Sequence, residues 1–181
     1  MRRLIIAIAV ILAAVVAGGG ALQLDGAEPE DGPARPARVL RVVDGDTIVV
    51  RLHGRRERVR YIGIDAPESV APDRPVECYG HAAAAENRRL VSGRTVTLAT
   101  DAERRDRFGR LLAYVRVEGR LVNEELVRGG FATTLEIAPN LRHAARLRAL
   151  EREARRARRG LWGACAPSAG STDGPLAIGP P

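Results

Sequence analysis

The sequence predicts a small α+β domain: a closed or nearly closed β-barrel of five short strands with about three helices packed against it. Three observations carry that expectation. Short β-branched runs are grouped early in the chain, helical patterns come mainly later, and glycine-bearing turn signals separate the elements. Val39 to Val43, Thr47 to Leu52 and Val59 to Ile64 read as strands divided by the Asp44-Gly45 and His53-Gly54 turns. Thr95 to Ala99 and Leu111 to Val117 follow, the second closing at Glu118-Gly119. Tyr79 to Leu90, with its alanines at 82 to 85, has high helix propensity. Val122 to Arg128 forms a second helical pattern, stopped by Gly129 and Gly130. The last runs from Leu141 to Arg159, with Asn140 placed as its N-cap and Gly160 as its stop. Leu141, Ala144, Leu147, Leu150, Ala154 and Ala157 form its apolar stripe.

A chain of 181 residues, 45% of them hydrophobic, can bury one ordinary core once its ends are set aside. Arg2 and Arg3 precede an apolar run and a Gly18-Gly19-Gly20 stretch, the order of regions in an export signal. The protein is therefore expected to be secreted or extracytoplasmic. The charge-free stretch from Leu4 to Leu24 would also span a bilayer, so both a cleaved signal and a retained membrane anchor at residues 1–24 stay open. Residues 25–37 read as a polar linker, 38–165 as the folded domain and 166–181 as a small-residue, proline-rich disordered tail. A monomer is expected. Two cysteines, Cys78 and Cys165, in an exported chain suggest a disulfide. Closing so long a loop would stabilise by up to about 4 to 5 kcal/mol.

The formal charge of +7 points to a polyanionic partner only in part. Between residues 142 and 159, eight arginines stand against two glutamates, so most of the excess sits on one helix. All 29 residues counted as Lys or Arg are arginine, which compositional bias explains as well as nucleic-acid steering does.

Three clusters carry candidate chemistry. Asp44-Gly45-Asp46-Thr47 is a hairpin turn with a second acid placed at a strand's first residue. Ile64-Asp65-Ala66-Pro67-Glu68 ends a strand, and Pro67 holds Ala66 extended, fixing how Asp65 and Glu68 point. In that strand Arg60 shares parity with Ile62 and Ile64, which predicts an inward guanidinium in need of a carboxylate or phosphate partner. Asp106-Arg107-Phe108-Gly109-Arg110 is a basic turn entering the last strand. Each alone has an ordinary structural explanation.

Taken in order, these clusters resemble the staphylococcal nuclease (thermonuclease) family. The likeness runs from about Val39 to Trp162. It includes DGDT, DAPE, the ECYG-H-A segment at Glu77 to Ala82, DRFGR, LVNEELVRGGFA and the closing Gly160-Leu161-Trp162. It implies an OB-type barrel and a calcium-dependent phosphodiesterase that cleaves DNA and RNA with little sequence preference, leaving 3′-phosphate ends. Asp46, Asp65 and the Ala66 backbone carbonyl match the calcium ligands, with Asp44 and Thr47 just outside them. Glu68 matches the residue that orients or deprotonates the attacking water; Arg60 and Arg110 match the pair that grips the phosphate. The founding enzyme has Thr in place of Ala66 and Tyr in place of Phe108, and residues 134–137 offer no aromatic to stack a base on, so a looser nucleotide grip is implied. A noncatalytic nucleic-acid-binding barrel and a cell-surface interaction module are the alternatives; the intact acids and arginines argue against the first.

Overall fold

The computed structural model describes residues 34–69 and 75–165; the expected signal or anchor, most of the linker and the tail lie outside the described residues. The chain runs through β1 (Arg35–Val42), β2 (Thr47–Leu52), β3 (Arg55–Tyr61), β4 (Ile64–Asp65), α1 (Gly80–Val91), β5 (Thr95–Ala99) and β6 (Leu111–Val117). It continues with β7 (Arg120–Leu121), α2 (Val122–Arg128), β8 (Thr133–Thr134), α3 (Ala144–Arg156) and the single turn α4 (Leu161–Ala164).

Five strands close a mixed barrel. Antiparallel pairs link β3, β2, β1, β5 and β6 in that order, and a parallel pairing of β3 with β6, Val59 opposite Leu111, completes the ring. Closure leaves the long strands without a bare edge. Ile48, Val50, Val59, Leu98 and Val115 fill the interior, and Leu126 of α2 with Leu147 and Leu150 of α3 extend the same cluster. Cys78, just before α1, is bridged to Cys165, just after α4, across 87 residues of sequence.

Several boundaries differ from the sequence reading. β1 starts at Arg35, inside the stretch read as linker, because Arg35 to Arg38 pair with Thr95 to Leu98 of β5. The strand expected from Val59 to Ile64 is broken at Ile62-Gly63. There Gly63 adopts φ +78°, and a Cβ would lie 2.7 Å from Leu147 Cδ1. That turn resets the alternation, so Arg60 does not share the interior face with Ile64. It lies on the face opposite Val59 and Tyr61, both core residues. α3 begins at Ala144, not Leu141, and Leu141 is exposed. Asn140 does not cap it: its side chain accepts from Glu103 N–H and donates to Glu103 C=O at 2.8 and 2.9 Å, tying the loop before β6 to the chain entering α3.

Candidate active site

The turn between β1 and β2 is built to present Asp46. Asp44 Oδ1 accepts the Asp46 N–H at 3.0 Å, while the Val43 and Asp44 N–H groups donate to the Thr47 carbonyl. A Cβ at Gly45 would lie 2.5 Å from Ala66 Cβ and 2.9 Å from Ala83 Cβ, so only glycine lets the turn wedge between the DAPE segment and α1. Asn87 of α1 holds it there. Its Nδ2 donates to the Asp44 carbonyl and its Oδ1 accepts from the Tyr61 hydroxyl, both at 2.9 Å.

Asp46 is buried, and each of its oxygens is engaged. Oδ1 accepts from the Thr47 hydroxyl at 3.0 Å and Oδ2 from the Ala66 N–H at 2.7 Å. Arg60 ion-pairs with Asp46 through Nη1 and with Asp65 through Nη2, the latter at 2.6 Å. Only 12% of its side chain is exposed. Burial pulls the Arg60 guanidinium below its usual range; Asp65 and Asp44 oppose that shift and Arg110 reinforces it. Burial likewise pushes the Asp44 carboxyl up, against the Thr47 hydrogen bond and Arg60, with Glu68 adding to the rise.

Glu68 is set by its backbone. Its N–H donates to Glu77 Oε2 at 3.0 Å, and the Glu77 N–H donates back to the Glu68 carbonyl at 2.9 Å. Gly80 packs against that carbonyl, where any Cβ would collide. The Cys78–Cys165 bridge leaves from the residue next to Glu77, so the clamp on Glu68 is anchored to the end of the domain. Arg110 is held by Asp106, whose Oδ1 accepts its N–H at 2.9 Å and whose Oδ2 accepts Nε–H at 2.6 Å. Burial pushes the Asp106 carboxyl up, but the Arg110 hydrogen bonds outweigh it and hold the group below the usual carboxylate range.

These residues converge. Asp44, Asp46, Thr47, Arg60, Asp65, Ala66, Glu68 and Arg110, every non-cysteine site residue expected from the sequence, line one cavity of about 210 Å³. A second cleft of about 420 Å³ shares Arg60 and Arg110 and is walled by Phe108, Leu112, Leu135 and Ile137. Its 134–137 side is aliphatic, and Phe108 is 68% exposed, with the Arg107 and Arg110 guanidiniums 4.8 and 5.5 Å from its ring centre.

The lining of the smaller cavity is chemically suited to a hard divalent cation. Its donors are all oxygens, and four carboxylates against two guanidiniums leave two negative charges to balance. In this structure the Arg60 guanidinium stands between Asp46 and Asp65 as their counter-cation. Among the described residues no three His, Cys, Asp or Glu side chains form a ready-made cage.

Sequence reasoning missed Asn87, Glu77 and Asn123, whose side chain ties the Ile62 carbonyl to the Val115 N–H. A signal existed for Asn87: a poor helix former in an alanine-rich helix, spaced with Ala83, Ala84, Leu90 and Val91 on the buried stripe.

The closed five-stranded barrel gathers acids and two arginines at one rim, an arrangement suited to phosphate chemistry. The family model described as "Staphylococcal nuclease homologue" matches residues 58–164. The chain is 36% identical over 125 residues to the thermonuclease of Staphylococcus hyicus, covering 69% of this chain and 74% of that protein. It is 37% identical over 124 residues to the thermonuclease of Staphylococcus intermedius, covering 68% and 74%. With endonuclease YncB of Bacillus subtilis (strain 168) it shares 39% over 124 residues, 67% of this chain and 59% of that one. The chain belongs to the staphylococcal nuclease family.

Proposed function

We propose that this nuclease is calcium-dependent and exported, that it hydrolyses DNA and RNA with little sequence preference, and that it leaves 3′-phosphate ends. The observation that carries the reading is the single cavity in which Glu68, Arg60 and Arg110 meet Asp46, Asp65 and Ala66.

Asp46, Asp65 and the Ala66 carbonyl would hold the cation, which supplies Lewis-acid stabilisation to the phosphate oxygens when bound. Calcium suits them because it accepts several oxygen ligands in flexible geometry. Glu68 takes a proton from water as the water oxygen attacks phosphorus in line. The bond from phosphorus to the 5′-oxygen breaks, and that oxygen takes a proton from solvent. Arg60 and Arg110 present planar donor forks to the non-bridging oxygens, where negative charge accumulates in the transition state. A phosphate competes with Asp46 and Asp65 for Arg60, and with Asp106 for Arg110. Contacts of this kind read no base, which supports low sequence preference.

Residues 1–24 are assigned as the export signal or anchor, 35–165 as the catalytic domain and 166–181 as the tail, with the domain acting as a monomer. The Cys78–Cys165 bridge supports an oxidising compartment. Cell fractionation and the mass of the mature chain separate secretion from membrane anchoring, and light scattering tests the monomer.

The decisive assay is digestion of single- and double-stranded DNA and of RNA with calcium, with magnesium and with chelator. Activity with calcium should collapse on chelation and in Glu68→Ala, and the fragments should carry 3′-phosphates. If the wild type bound DNA yet was as inert as Glu68→Ala and Arg60→Ala, a binding module would replace the enzyme reading.

A further inference from the structure

Resting on the nuclease reading above, we propose that the outer face of β1, β2 and β3 is a track for one strand of the polynucleotide beyond the scissile phosphate. Its grip is Arg38, Arg41, Arg51, Arg56 and Arg58. Side chains alternate along a strand; Ile48, Val50 and Leu52 of β2 and Val59 and Tyr61 of β3 fill the core. Arg51 of β2 and Arg56, Arg58 and Arg60 of β3 therefore share the outward face. Strand register arranges them in rows. Arg38, Arg51 and Arg56 stand opposite one another across three strands; Arg41, Val49 and Arg58 form the next row, and Thr47 and Arg60 the third. The rows step toward Arg60 at about 7 Å each.

All five arginines are exposed. Among the described residues none of them has an acidic partner or a side-chain hydrogen bond. Like charges directly opposite each other destabilise a sheet, and this face carries two such pairs, Arg38 with Arg51 and Arg51 with Arg56. Their aliphatic stems have a local use: Val49 points outward between Arg41 and Arg58 yet is only 7% exposed. That accounts for the stems and leaves the heads unanswered. Guanidiniums so displayed fit phosphate oxygens, which they can bind bidentately. The track is continuous with the site. Arg58 shares a cavity of about 280 Å³ with Phe108, Gly109 and Arg110, and Arg110 also lines the acidic cavity.

The test compares the full-length wild type with R51Q/R56Q/R58Q on long single-stranded DNA and on a nitrophenyl ester of one nucleotide, too short to leave the active site. On the long substrate KM should rise about 10- to 50-fold near physiological salt. The slope of log KM against log salt should fall by about 2, from roughly 0.7 counterion per phosphate contact. kcat and cleavage of the ester should be unchanged. R148Q/R152Q/R156Q makes the same change in net charge on α3 and should leave the slope where it was. Equal losses on both substrates, an unchanged slope, or an equal fall in the α3 variant would each overturn the track. If the wild type cleaved neither substrate, the nuclease reading would fail. The track would then be decided by oligonucleotide binding followed by fluorescence anisotropy across salt, where an unchanged slope in R51Q/R56Q/R58Q overturns it. Vesicles of anionic lipid form the last arm: loss of vesicle binding with unaltered oligonucleotide binding would assign the surface to a membrane and overturn the proposal.

Discussion

Two regions of this protein are rich in arginine, and they differ in how far acids answer it. Along α3 and its approach, where the sequence concentrates its excess charge, acids answer four of the eight guanidiniums, while Arg152, Arg156 and Arg158 have no acidic partner among the described residues. Arg142 meets Asp101 at 3.2 Å, Arg146 meets Glu124 at 3.3 Å and Arg148 meets Glu136 at 2.5 Å. Arg155 pairs with Glu151 and lies 4.0 Å from the centre of the Trp162 ring. On the barrel's outer face the strand arginines have no such partners among the described residues, and Arg60 next to them is buried between two carboxylates. A formal charge therefore locates no polyanion site until the acids that neutralise it have been subtracted. Both regions keep charge to spare, but on the barrel face none of the five exposed strand arginines is answered, whereas on α3 half of the eight are.

The largest effect that would sharpen this contrast is catalytic. Arg60→Ala should lower kcat by about 10² to 10³, the scale of losing one preorganised donor, and Glu68→Gln by about 10² to 10⁴. Arg148→Ala, of the same residue type, should leave kcat unchanged in the same steady-state assay. Comparable losses at residues 60 and 148 would break the distinction.

Next comes the bridge that anchors Glu77. Replacing Cys78 and Cys165 together by Ser should cost about 2 to 5 kcal/mol in chemical denaturation. A reductant should destabilise the wild type alike and leave the double variant unmoved. Asn87→Ala should cost about 1 to 3 kcal/mol, because it strands the buried Tyr61 hydroxyl and the Asp44 carbonyl. It should also lower kcat by loosening the Asp46 turn, which a purely structural asparagine such as Asn123 would not do while the barrel stays folded.

The smallest effect belongs to the exposed pairs. Glu57→Gln breaks the bidentate contact with Arg105, at 3.0 Å on each arm, and should cost about 0 to 1 kcal/mol. The Arg105 hydrogen bond holds the Glu57 carboxyl below its usual 4.5. Its stabilisation is thus fully present above about pH 4.5 and fades as pH falls through the depressed folded value. The stability gap between wild type and Glu57→Gln, followed by denaturant titration, should close on acidification.

Much of the site was legible because its residues lie in short local motifs. Asp44 to Thr47 and Asp65 to Glu68 each need only a turn or a proline to fix their direction, and such signals are written in consecutive residues. The face on which Arg60 lies was not legible. Parity holds only along an unbroken strand, and the turn at Gly63, with φ +78°, breaks it before Ile64. Asn140 misled for a different reason. Its side chain had two competing uses, a helix cap or a link to Glu103, and packing between distant segments selected the second.

The sequence by itself determined the kinds and order of the elements, the acids and arginines of the rim, and the pair of cysteines. Those depend on periodicity, turn chemistry and side-chain type, all local properties. Only the tertiary structure decided which charges are spent. Ring closure by β3 and β6 brings Arg60 and Arg110, 50 residues apart, into one cavity, and strand register lines three arginines up without an acid between them. Coulomb interactions fall with distance and solvent, so the use of each arginine follows from its neighbours in space, which folding assigns.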